Sequence, residues 1–135
     1  MNKTKLQYHL IFVTKYRKKI LFNDILDFIK KIIYETSEKH HFEIIEFGSE
    51  SGDHIHLIIS LKPLQSIPKI VQLLKQYTRY YAWKEYGIEL RRHYWYNNYL
   101  WSSGYFCSTI GNVSKKTVLE YVKKQSNSST DNKYR

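Results

Sequence analysis

The sequence predicts an α+β fold of the ferredoxin-like kind, β-α-β-β-α-β, with one further helix at the C-terminal end. Two observations predict it. Short runs of β-branched and aromatic residues alternate with helical-period segments in that order. The chain has 135 residues, 42% hydrophobic and 25% charged, which suits one domain with a real core rather than a disordered chain.

Residues 6–14 are β-branched and aromatic and read as the first strand, followed at once by Lys15, Arg17, Lys18 and Lys19. Asn23 is the expected N-cap of a helix near 24–40, in which Ile25, Phe28, Ile29, Ile32, Ile33 and Thr36 recur at helical spacing. Phe42 to Phe47 reads as the second strand, and the glycines and serines of residues 48–52 as a hairpin loop. His54 to Leu61 is the third strand. Ser66 caps a second helix with Pro68 in its first turn, and Ile67, Ile70, Val71, Leu74, Tyr77 and Tyr81 line one face until Gly87. Residues 88–104 read as irregular and aromatic, Tyr105 to Ile110 as the fourth strand. Gly111 and Asn112 turn the chain, and Ser114 caps a last helix to about Gln125. Residues 126–135 are polar and are expected to form a flexible tail on a domain of residues 1–125.

Several classes are excluded. No apolar run approaches the ~20 residues of a membrane span, and the stretch Leu10 to Val13 is too short for a signal peptide. The expected compartment is the cytoplasm. One cysteine, Cys107, permits neither an internal disulfide nor a cysteine-based zinc site. Lys and Arg total 22 against 12 Asp and Glu, a net charge of +10, alongside 13 Tyr, 3 Trp and 6 Phe. Cations interleaved with aromatic rings suit single-stranded nucleic acid, although a basic protein with a large aromatic core has the same composition.

Side chains alternate across a strand, so Ile55, Leu57, Ile59 and Leu61 are expected on the helix-covered face of the third strand. His54, His56, Ile58 and Ser60 then share the other face. The two imidazoles stand ~7 Å apart at their Cα atoms, a spacing that suits two ligands of one metal ion. Two surface histidines on a half-polar strand would look the same. Asp53 is expected in the loop or on the opposite face. In the last helix Tyr121 and Gln125 are i and i+4 and share a face with Val118 and Val122. Read alone, Tyr121 is a core aromatic with a polar tip.

Four ordered motifs sharpen this. Asp-His-Ile-His-Leu-Ile-Ile-Ser at 53–60 resembles the signature of HUH single-strand DNA nucleases. Tyr8 to Arg17 resembles the opening strand of the single-tyrosine, TnpA-type transposases of bacterial insertion sequences, a group that includes the REP-associated tyrosine transposases. Leu100-Trp101-Ser102-Ser103-Gly104-Tyr105-Phe106 resembles their Trp-Ser-Pro-Ser-Tyr-Phe segment, and Tyr121-Val122-Lys123-Lys124-Gln125 their closing Tyr-x-x-x-Gln. Ser103 stands where the family has Pro, and residues 88–99 are more aromatic than the family pattern.

The resemblance implies a nucleophile at Tyr121, a divalent metal (Mg²⁺ or Mn²⁺) held by His54, His56 and Gln125, a homodimer, and single-stranded DNA with hairpin ends as substrate. Imidazole ligands by themselves would favour Zn, Ni or Mn over Mg. For the DNA backbone, Lys15, Arg17, Lys18, Lys19, Arg79, Lys84, Arg91 and Arg92 are the candidates; a solvated basic face is the alternative. Trp95 and Tyr96 are candidates for base stacking or for the core. Rival readings are a domesticated relative acting on chromosomal repeat hairpins, an RNA-recognition-like binding module, and a metal hydrolase of small substrates. The second is disfavoured by histidines where its third-strand aromatics belong, the third by the charge.

Overall fold

The computed structural model of the chain describes residues 6–110. The predicted last helix with Tyr121 and Gln125, and the tail 126–135, lie outside the described residues. Within them the elements are β1 (Leu6–Val13), α1 (Asn23–His40), β2 (Glu43–Glu50), β3 (His54–Leu61), α2 (Ile67–Arg91) and β4 (Phe106–Thr109). The sheet order is β2-β3-β1-β4 and every pairing is antiparallel. This is the predicted ferredoxin-like arrangement, in which β3 slots between β2 and β1.

One hydrophobic core joins sheet and helices. Leu10 and Phe12 of β1 and Ile55, Leu57, Ile59 and Leu61 of β3 pack with Ile29 and Ile33 of α1 and with Ile70 and Leu74 of α2. The period-two alternation of β3 therefore assigns its core face as expected. On the opposite face Ile11 and Val13 form a second small apolar cluster with Phe106.

Four local expectations are corrected. The cap of α1 falls on Phe22 with no side-chain cap hydrogen bond, and Asn23 instead takes a left-handed φ of 47°, which Asn tolerates. The β2–β3 loop is shorter than predicted: β2 runs through Gly48 to Glu50, and Ser51 and Gly52 turn the chain at φ 64° and 74°. Helix α2 passes Gly87 and ends at Arg91, with an irregular turn at Tyr86. Its buried stripe continues through Thr78 and Ala82 rather than Tyr77 and Tyr81. Ser66 does cap α2, its hydroxyl accepting from the Lys69 N–H.

The aromatic segment after α2 is largely architectural. Tyr94, Leu100 and Trp101 are buried. Trp101 donates its indole N–H to Thr78 Oγ1 at 2.8 Å and meets Phe12 edge-on. The Lys75 ammonium ties this segment to α2 by donating to the carbonyls of Ser102 and Gly104. Gly104 has φ 81°, so the glycine beside Ser103 supplies a backbone shape that other residues resist. Among the described residues, no helix is long and apolar enough to cross a membrane.

Candidate functional site

The site is built on β3. His54 and His56 share the face turned away from the core, and their cross-strand partners on β1 are Val13 and Ile11. The apolar cluster of Ile11, Val13 and Phe106 therefore flanks the imidazoles on one side. On the other side the partners on β2 are Glu50 and Gly48.

Each histidine is held differently. His54 is buried, and its Nδ1 lies 2.9 Å from Oδ1 of Asp53. An ionised carboxylate accepts only, so this contact favours a proton on Nδ1, and in the neutral ring Nε2 would then keep the lone pair. His56 lies over Gly48: a Cβ there would stand 2.3 Å from Nε2 of the ring. Gly48 was expected in a loop; in the ladder it leaves the volume that the imidazole occupies.

Asp53 sits in the turn and is 1% exposed. Its other oxygen accepts from Arg17, from Nε at 2.8 Å and from Nη2. Arg17 reaches it because Tyr16 and Arg17 both take left-handed φ, 59° and 52°, turning the chain back after β1. Thr14 fastens that turn. Its N–H donates to the Asp53 carbonyl at 2.9 Å and its hydroxyl to the Lys18 carbonyl at 2.8 Å.

His9 escaped the sequence reading. It stands beside His56, ring centroids 5.9 Å apart, and its buried Nε2 has no hydrogen-bond partner among the described residues. Burial lowers its pKa, the His56 charge lowers it further, and Glu46 opposes. The usable signal was parity, since His9, Ile11 and Val13 share one face of β1. Register was needed to bring His9 to His56.

The candidate DNA contacts separate into two groups. Lys15 is buried, with its ammonium over the rings of Tyr16 and Tyr99. Arg17 is committed to Asp53. Arg91 lies over the Trp83 ring, 4.4 Å from its centroid, and donates to the carbonyls of Tyr94 and Trp95 and to Asn98. These three have partners within the fold, Arg17 being half-buried and Arg91 exposed. Lys19, Arg79, Lys84 and Arg92 are exposed and Lys18 is half-buried. Lys18 and Arg92 line a cleft of about 340 Å³ with Tyr16, Trp95, Tyr96 and Tyr99.

Among the described residues no three His, Cys, Asp or Glu side chains gather as a metal-binding group. The donor chemistry nevertheless suits a cation held in part by this face. It offers two imidazoles on one face, one with its proton fixed away by a carboxylate and one seated in a cradle that a Cβ would fill. The expected further ligand, Gln125, and the expected nucleophile, Tyr121, lie outside the described residues.

Among the described residues, a split βαβ sheet carries the paired histidines on the face its two helices leave free, and the comparisons place this frame among the transposases, enzymes that cleave DNA and transfer strands. The family model of IS200-like transposases matches residues 2–125, and the chain belongs to that family. It is 30% identical over 121 residues to the ISDra2 transposase TnpA of Deinococcus radiodurans, covering 90% of this chain and 84% of that protein. It is 26% identical over 119 residues to the transposase of IS200 from Salmonella typhimurium, covering 88% and 76% respectively. A transposase structure from D. radiodurans R1 superposes with a TM-score of 0.81 at 26% identity, covering 90% of this chain and 91% of that one. A REP-associated tyrosine transposase bound to a REP hairpin shares the fold at a TM-score of 0.56 and 14% identity, over 87% of this chain and 62% of that one.

Proposed function

We propose that this transposase cuts and rejoins single-stranded DNA at hairpin-marked element ends through a covalent 5′-phosphotyrosine at Tyr121. The observation that carries the reading is the His54–His56 pair, set side by side on the open face with the Nδ1 proton of His54 turned to Asp53. His54, His56 and Gln125 would hold Mg²⁺ or Mn²⁺. When bound, such a cation supplies charge to the non-bridging oxygens of the scissile phosphate.

The Tyr121 phenolate oxygen attacks phosphorus in line. A P–O bond forms to tyrosine, the P–O3′ bond breaks, and the 3′ oxygen leaves as a hydroxyl after taking a proton. The phosphotyrosine keeps the bond energy, so a second 3′-OH can attack it and reseal a strand without ATP. A phenol of pKa about 10 must lose its proton as it attacks.

Lys18, Lys19 and Arg92 would meet the backbone, and the exposed Trp95 and Tyr96 would stack on bases, in keeping with the net charge of +10. The working unit is a homodimer of residues 1–125 domains in the cytoplasm, near the nucleoid. A hairpin ligand on a structural neighbour supports the hairpin substrate.

The test is a denaturing gel after incubation with single-stranded element ends and Mn²⁺. A protein–DNA adduct is expected with the wild type and none with Tyr121→Phe, which keeps the ring and removes one oxygen. An adduct that persists in the Phe variant and maps to another tyrosine would remove the assignment.

A further inference from the structure

Behind His54 stands a fully built cluster, the Arg17–Asp53 pair, with a buried carboxylate and a half-buried guanidinium. We infer that Arg17 and Asp53 are positioning residues: they fix the tautomer and orientation of His54 so that Nε2 presents its lone pair to the metal. The inference rests on the metal-site reading and deepens it.

Three observations carry it. First, the chain of hydrogen bonds is continuous and its central carboxylate is inaccessible. Arg17 Nε donates to Asp53 Oδ2 at 2.8 Å, Asp53 Oδ1 accepts from His54 Nδ1 at 2.9 Å, and the Asp53 side chain is 1% exposed. A buried carboxylate is costly alone, and the guanidinium supplies the opposite charge. Second, the backbone is bent to make the pair. Tyr16 and Arg17 hold left-handed φ of 59° and 52°, shapes that non-glycine residues adopt only when their surroundings impose them.

Third, that turn is clamped from both sides. Thr14 binds the Asp53 carbonyl on one side. On the other, the Lys15 N–H donates to the Leu100 carbonyl at 2.9 Å, and Tyr94 donates its hydroxyl to the Lys15 carbonyl at 2.8 Å. The Tyr16 and Tyr99 rings meet edge-on at 5.9 Å. The Thr-Lys-Tyr-Arg run thus acts inward, toward the histidine. A carboxylate behind a ligating imidazole sets which nitrogen is free and makes it a better donor.

The experiment uses the full chain. Mn²⁺ binding is followed by the loss of the free-ion electron paramagnetic resonance signal, and the His54 tautomer by ¹⁵N NMR without metal. Wild type should show His54 protonated at Nδ1 only. Asp53→Asn should show mixed tautomers and bind Mn²⁺ about 10- to 100-fold more weakly, with Arg17→Gln weaker than wild type and Arg17→Lys partly restoring affinity. The double variant Arg17→Gln with Asp53→Asn leaves no unpaired buried charge and should fold with the same loss, should either single variant unfold. Mn²⁺ affinity within twofold of wild type in folded Asp53 variants, with binding lost in His54→Ala, would overturn the inference and leave the metal site standing. Unchanged binding in His54→Ala would overturn the metal-site reading and the inference together.

Discussion

Gly48 faces His56 directly across the β2–β3 ladder, and the imidazole occupies the space that a side chain at Gly48 would take. A ring edge 2.3 Å from an added Cβ cannot stay where it is.

Gly48→Ala should therefore displace His56 while the fold survives. Overpacking of this kind costs about 1–3 kcal/mol. Strand cleavage should fall about tenfold or more, because a small misplacement of a positioned group is costly. Cleavage rate and melting temperature measured together check this. A variant that melts lower but cuts at the wild-type rate would show that the His56 position is not critical.

Lys75 gives a pH signature. Burial lowers its pKa from 10.5 to about 8. Between those values the unfolded chain binds the proton that the folded chain has lost, so the Lys75 contribution to stability rises with pH. Below pH 8 its full penalty is present. The burial of Tyr94, which raises that phenol's pKa, acts oppositely at high pH. The comparison is therefore wild type minus Lys75→Met. That difference in unfolding free energy, from urea titrations at several pH values, should grow from pH 8 toward 10.5. A flat difference would contradict the burial of the ammonium.

Trp95 and Tyr96 are 74% and 91% exposed beside Arg92 and Lys18. Trp95→Ala and Tyr96→Ala should leave melting unchanged and weaken single-strand binding by about 1–3 kcal/mol each, the usual worth of a stacked base. Arg92→Ala should lower the salt dependence of binding instead. Affinities for a hairpin oligonucleotide at two salt concentrations separate these effects. Unchanged affinity in both aromatic variants would assign the exposed rings to another surface.

The proposed dimer predicts a solution mass of twice 16.4 kDa at micromolar concentration. Among the described residues the sheet order ends in β2 and in the short β4, and an edge strand is where a second copy could extend the sheet. Light scattering that gives the monomer mass would count against it.

The strand pattern made much of this readable. Alternation is a local property, so both faces of β3, and hence the histidine pair, followed from residues 54–61 alone. What stayed hidden depends on distance in sequence. Arg17 reads as one more cation in a basic run because charge does not reveal its partner, here 36 positions away. His9 needed the β1–β3 register. Gly48 read as a loop residue because glycine beside serine signals turns, whereas its use is close approach inside a strand. Tyr94 and Trp101 were indistinguishable by composition from Trp95 and Tyr96, yet the first two are core and the others surface.

The turn that carries Arg17 has a consequence for how the chain acquires its activity. Thr14 is fastened to Asp53, 39 positions on, Lys15 to Tyr94, 79 positions on, and Val13 to Ser102, 89 positions on. Contacts closing such long loops form late, after local helices and hairpins. The β2–β3 hairpin that carries the histidines closes over a two- to three-residue turn, so topology favours the hairpin before the buttress, and the support behind His54 is expected to be the last part of the site to close.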